Sequence, residues 1–380
     1  MKKLTVMMLA VLLVCGMAVS CAAPGTAPSE TPAGSAPAPE QTEQAAPPEQ
    51  PDQTSAMKAA CILGVGGLGD QSYNDLVYAG MKKAESDLGV SFDYAEPKQI
   101  SEFELIMRDM ASSGEYGVIV CVGFDQVDPL TKVAPEFPDQ QFALIDGEVT
   151  SDNIANYTCK EEEGSFLVGA LAGLMKKNAA AYGVADNNQL GFIAAMEIPL
   201  LVKFNAGYQA GAKLVNSQIN VFTDYVSGNN PFSDTTTAKE IALSQFDKGA
   251  DIIYHAAGGS GLGVFQAAKE KNFMAIGVNS NQNVLDPDHI VASMLKRVDT
   301  AAFEIVKAAC VDSNLAVGTT TILGVKDDGV GYTLEGSNIK VSDEDVAIIE
   351  SLKEKVKDGS LVIPTTLEEV DAFVSANAIG

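Results

Sequence analysis

The chain reads as an α/β protein of two doubly wound parallel-sheet lobes joined by a hinge, and three observations point there. Short runs rich in Val and Ile alternate with longer amphipathic stretches from about residue 57 onward, the order of elements that builds parallel sheets. The apolar runs divide into two groups with a break near Asp146 to Thr158, so two similar sheets are expected rather than one very wide one. Glycine-rich turns, Gly64 to Gly69 and Gly258 to Gly263, follow an apolar run in each group.

Taken in order, the first strand is Ala60 to Val65, an uncharged apolar run that ends at the first glycine turn. The amphipathic stretch Asp75 to Leu88 follows as a helix, with Ser72 and Asp75 available as a capping pair, the alternative to a ligand role for this turn. Ser91 to Tyr94, Gly117 to Val122 and Phe142 to Ile145 are the next strands, separated by helices over Glu102 to Ser112 and Asp128 to Phe137. The acidic run Glu161-Glu162-Glu163 reads as a helix start and opens the helix that ends at Lys177. Strands Leu190 to Ala194, Val221 to Val226, Ile252 to His255, Ala275 to Val278 and Ile290 to Met294 make the second group. Helices are expected over Pro199 to Asn216, Thr235 to Lys248, Gly261 to Asn272 and Lys296 to Ala309. This divides the folded part into lobe 1, residues 57–158 with 279–312, and lobe 2, residues 159–278 with 313–380. Hinge segments are expected near Asp146 to Tyr157, Asn279 to Met294 and Cys310 to Thr321. Ligands bind outside the carboxyl ends of strands in such sheets, so facing lobes form a cleft that closes on a small molecule.

Lys2 and Lys3, the apolar run Leu4 to Val14 and the small residues before Cys21 make residues 1–20 a secretory signal. Ala18-Val19-Ser20-Cys21 resembles a bacterial lipobox, which implies cleavage before Cys21 and lipidation of that cysteine. Residues 21–56 are almost wholly Ala, Pro, Glu, Gln, Ser, Thr and Gly, with too little apolar surface to offset the entropy of ordering, and read as a solvated tether. The expected location is extracytoplasmic, on a cell membrane through the lipid. The formal net charge of −25 becomes −27 once Lys2 and Lys3 are removed, which argues against nucleic acid as a partner. Cys61, Cys121, Cys159 and Cys310 are widely spaced without a CxxC pair, so neither zinc nor a disulfide scaffold is expected. With His255 and His289 the only histidines, little is available for acid–base chemistry. No metal and no cofactor are expected.

Gly64-Val65-Gly66-Gly67-Leu68-Gly69 fits the G-x-G-x-x-G dinucleotide fingerprint on spacing. Asp70 behind it would set a negative charge beside a pyrophosphate, and an exported protein meets little NAD. The better reading is close backbone approach to something at the strand end. The second turn, Gly258-Gly259-Ser260-Gly261-Leu262-Gly263, repeats the arrangement, so one cleft is lined from both sides.

Asp70-Gln71-Ser72-Tyr73-Asn74, Phe204-Asn205-Ala206-Gly207-Tyr208, Ala256-Ala257-Gly258-Gly259, Gly277-Val278-Asn279 and Ser293-Met294-Leu295-Lys296 stand in an order that resembles the basic membrane protein family. That resemblance spans nearly all of the chain past Met57. It implies a type I periplasmic-binding-protein fold and a receptor that hands nucleosides to an ATP-driven (ABC) transporter. It further implies that Tyr73 and Phe204 stack on the two faces of a base, that Asn74 and Asp128 meet its polar edge, and that Lys296, Gly258 and Gly259 approach the sugar. Asp70 and Ser72 shape the turn beside them. The physical case for the rings is independent, since aromatic stacking contributes roughly 1 to 3 kcal/mol per base.

The chain departs from the family at Asn279, where an Asp is usual. An amide offers one acceptor oxygen where a carboxylate offers two, which implies a loss of about 1 to 2 kcal/mol or a different sugar. The expectation is therefore a substrate-binding lipoprotein, monomeric and not an enzyme, with a purine nucleoside or nucleoside-like ligand and ABC permease subunits as partners. A sensor or adhesin on the same fold is the alternative, followed by an exported nucleoside hydrolase, for which no catalytic constellation is apparent.

Overall fold

In the computed structural model, residues 58–377 are described. The signal at 1–20, Cys21 and the tether at 21–56 lie outside the described residues. The first stretch of chain gives β1 (Lys58–Ile62), α1 (Tyr73–Leu88), β2 (Phe92–Ala95), α2 (Phe103–Ser113), β3 (Tyr116–Val122), α3 (Val127–Val133), β4 (Phe142–Ile145) and β5 (Ile154–Cys159). There follow α4 (Glu161–Lys177), α5 (Ala179–Tyr182), β6 (Gln189–Ala194), α6 (Pro199–Val215), β7 (Asn220–Tyr225), α7 (Thr235–Asp247), β8 (Ile252–Ala256), α8 (Leu262–Lys271), β9 (Met274–Asn279) and β10 (Ile290–Lys296). The chain ends with α9 (Val298–Cys310), β11 (Thr319–Leu323), β12 (Val330–Thr333), α10 (Asp343–Lys357) and α11 (Val370–Ala376).

Two six-stranded sheets result, ordered β11-β5-β4-β3-β1-β2 and β12-β10-β9-β8-β6-β7. Every pairing is parallel except β10 with β12. Strand order reverses between β1 and β3 in one sheet and between β6 and β8 in the other, the two places where a crevice opens at the strand carboxyl ends. The α/β reading with two parallel-sheet lobes holds.

Each sheet is covered on both faces, as parallel sheets must be. Along β1, Ala59 and Cys61 pack with α1 and α9 residues such as Val77 and Ile305, while Ala60 and Ile62 face Phe103 and Met107 of α2. In the second lobe α4 is buried along nearly its whole length, Glu161 to Lys176. Its partner α6 approaches backbone to backbone: a Cβ on Gly211 would lie 2.0 Å from Phe166 O, and one on Gly169 2.1 Å from Tyr208 O. Only glycine permits that spacing. The described cysteines are free, with Cys61, Cys121 and Cys159 buried.

The lobe boundaries need correction at two places. Lobe 1 was expected to take residues 279–312, yet β10, with Asn279 at the end of β9, belongs to the second sheet and only α9 returns to the first. Residues 313–380 were assigned to lobe 2, yet β11 completes the first sheet beside β5. The chain crosses between sheets near 160, 297 and 324, several residues beyond each expected hinge segment. These crossings adjoin: Lys160 N donates to Leu323 O at 2.9 Å and Arg297 N to Gly329 O at 2.8 Å. Glu163 Oε2 accepts from Val325 N at 2.8 Å. The cause is compositional. β5 reads Ile-Ala-Asn-Tyr-Thr-Cys and β11 reads Thr-Thr-Thr-Ile-Leu, so neither carries a continuous apolar run.

Candidate ligand-binding site

The carboxyl ends of β1, β3 and β4 face those of β6, β8, β9 and β10 across a cavity of about 480 Å³, within the range of small-molecule sites. Seven of the residues singled out from the sequence line it: Asp70, Tyr73, Asn74, Phe204, Gly258, Asn279 and Lys296.

Lys296 closes β10 rather than opening a helix, because the strand runs on to it and α9 starts only at Val298. Its ammonium is almost fully buried, 2.5 Å from Asp146 Oδ2 and 2.9 Å from Glu161 Oε1. It also sits 5.5 Å from the Tyr73 ring centroid and 5.7 Å from that of Phe204, within cation–π range of both. Burial opposes its charge, but the two carboxylates outweigh burial and hold its pKa above the ordinary value. Burial, with Asp146 nearby, likewise holds the Tyr73 phenol well above its usual range. Asp146, Cys159 and Glu161 bring donor atoms within 4.8 Å of one another, but the Lys296 ammonium already pairs with both carboxylates.

The first glycine turn is built around Asp70. Its carboxylate accepts from the backbone N–H groups of Ser72 at 2.8 Å, Asn74 at 2.8 Å and Asp75 at 3.2 Å, so Asp70 caps α1. Glu96 takes Leu68 N, and Asp75 takes Gly69 N and Gln71 N. Three N–H groups of this turn are thus already bonded to carboxylates, and Gly67 N is bonded to Gly64 O, against the dinucleotide fingerprint. Asn74 turns its Oδ1 to Gly64 N at 2.9 Å, a tie between α1 and the end of β1.

Ser72 and Gly259 lie just behind the cavity wall. Ser72 Oγ donates to Val278 O at 3.3 Å and accepts from Asn279 Nδ2 at 2.9 Å, joining the two lobes. A Cβ on Gly259 would stand 3.5 Å from Asp70 Cβ, so the two glycine turns meet across the cleft. Gly258 holds φ +54, a conformation that suits glycine. His255 is packed beneath this turn, bonded to Gln282 Oε1 at 3.1 Å, and burial lowers its pKa to about 4. It is a neutral core residue.

Asp128 is exposed in the first turn of α3 and does not line the cavity. A short 3₁₀ turn, Phe124 to Gln126, intervenes after β3 and places Asp125 on the cavity instead. The available signal was position: Asp125 follows the strand end by three residues, as Asp146 follows β4 by one. Asp146 and Asn279 both hold positive φ, +67 and +66, strain of the kind that gathers at functional sites. Each also leaves one buried oxygen, Oδ1, without a hydrogen-bond partner.

Residues 57–366 match the family described as Bmp, ABC transporter substrate-binding protein PnrA-like. The chain belongs to the Bmp family. An uncharacterized lipoprotein of Pyrococcus abyssi is 32% identical over 84% of this chain and 87% of its own. The ABC transporter nucleoside-binding protein BmpA of Lactococcus lactis is 27% identical, covering 81% and 89%. A crystal structure of an ABC transporter system solute-binding protein from Aeropyrum pernix superposes with TM-score 0.74 at 29% identity, over 85% of this chain and all of that one. This Bmp-family chain is the solute-binding component of an ABC transporter system, a binding protein and not an enzyme, with a small ligand and a transporter as its partners. Among the described residues no helix is long and apolar enough to cross a membrane.

Proposed function

We propose that the chain captures a purine nucleoside or nucleoside-like ligand between its lobes and delivers it to the permease subunits, working as a monomer tethered outside the cytoplasm by lipid on Cys21. The observation that carries this reading is the pair of rings, Tyr73 from lobe 1 and Phe204 from lobe 2, both on the cavity and both within 5.7 Å of one ammonium. A flat base has two apolar faces, and a ring from each lobe converts its burial into closure of the cleft. Acceptor oxygens of Asp146 and Asn279 suit sugar hydroxyls, and Asp125 takes the base-edge role expected of Asp128. Asn74, whose amide already serves Gly64 and Asp70, acts on the ligand by fixing the turn. The hinge is the trio of crossings near 160, 297 and 324. The nucleoside named for the Lactococcus lactis relative agrees with this chemistry.

The test is to denature the purified native chain and identify what it releases by mass spectrometry. A nucleoside in near-stoichiometric amount is expected. A free sugar, an amino acid or a peptide in that amount would overturn the reading.

A further inference from the structure

Three aspartates line the cavity, Asp70, Asp125 and Asp146, and the protein answers two of them. Asp70 is occupied by backbone N–H groups and Asp146 by Lys296. Asp125 differs. Its own backbone N–H is the one group that offsets its burial, and the carboxyl is pushed up to about 6. A Cβ on Gly123 would lie 2.8 Å from Asp125 Oδ1, so the glycine, at φ +113, makes room for the carboxylate beside the cavity. Next to it Phe124 meets Phe232 of the opposite lobe, ring centroids 6.2 Å apart.

The fully buried polar atoms on the wall that lack a partner, Asp146 Oδ1 and Asn279 Oδ1, are acceptors too. Lys296 is compensated by two carboxylates, so the buried cation of the site is already neutralised; Lys98 lines the cavity only from an exposed position. The cavity thus asks for donors. A carboxylate is best met by two adjacent, coplanar N–H groups, which it accepts in parallel. Among nucleoside bases a 2-amino-6-oxopurine presents that edge through its ring N–H and its amino group. Removing the amino group leaves one carboxylate oxygen unanswered, and an adenine edge sets a ring acceptor against it.

We propose that Asp125 is the specificity-determining residue of this site and selects ligands with two adjacent N–H donors, the 2-amino-6-oxopurine nucleosides. This rests on the nucleoside reading above. The experiment is calorimetric titration of the full chain, unfolded and refolded to remove carried ligand, with guanosine, inosine and adenosine, on the native protein and on Asp125→Asn. Guanosine is expected to bind the native chain at least about tenfold tighter than inosine. In Asp125→Asn the two are expected to come within roughly threefold. Equal affinities in the native chain, or an unchanged ratio in the variant, overturn the assignment while leaving the nucleoside reading standing. No binding of any of the three to the native chain overturns the nucleoside reading itself, and the assignment with it.

Discussion

Replacing Lys296 by Met removes the one cation from a buried group of three charges. The side chain is 2% exposed, and its partners Asp146 and Glu161 are 5% and 0% exposed. Methionine keeps most of the volume, so the change is chiefly electrostatic. Two carboxylates are left facing each other, with Lys203 still 3.5 Å from Glu161 Oε2 as the one remaining counter-charge. Breaking a buried ion pair from one side costs about 3 to 5 kcal/mol. Because folding holds the Lys296 pKa above its ordinary 10.5, its contribution is fully present below that value and is lost only as pH rises past it. The native chain should therefore show no stability step from this group between pH 6 and 9. Urea unfolding at pH 7.5 measures the loss, with the slope checked for constancy. Adding Glu161→Gln to Lys296→Met should recover part of it, since one of the two stranded charges is gone. A loss under about 1 kcal/mol, or no recovery in the double variant, would refute the reading that Lys296 neutralises both buried carboxylates.

Two further outcomes follow from the same geometry. Gly211→Ala forces α4 and α6 apart, since the new Cβ would meet Phe166 O at 2.0 Å; a destabilisation of at least about 1 to 3 kcal/mol is expected, and a thermal melt unchanged from the native would contradict it. Asp125→Asn should stabilise the ligand-free chain above pH 6, where the charged carboxyl is held against its preference. The rise from 3.8 to about 6 sets an upper bound of roughly 3 kcal/mol, reduced because the group still meets cavity water. That gain should fade as pH drops through 6 toward 4, and a difference constant with pH would count against it.

The alternation of apolar and amphipathic runs made the sheets legible, because parallel strands buried on both faces must be apolar throughout. Edge strands escape that rule. β11 with its three threonines and the short β12 were invisible for this reason, and with them the true crossings between lobes. The cavity residues were legible where they close a strand, as Asn279 and Lys296 do. Asp128 was misplaced because nothing in a helix-period pattern reveals the 3₁₀ turn that gives the cavity to Asp125. The acidic run Glu161 to Glu163 did mark a helix start, but its burial did not follow from composition. It depends on three distant partners: Lys296 for Glu161, Val325 N for Glu163, and the glycine seam of α6 against α4.

The most direct test is calorimetric titration of the refolded full chain with nucleosides, free bases and ribose, repeated on Phe204→Ala. The expected result is one-to-one binding of a nucleoside, weaker for its separate base and sugar, and reduced at least about fivefold when the ring is removed. A chain that binds no nucleoside, or binds one equally well without the Phe204 ring, would contradict the account.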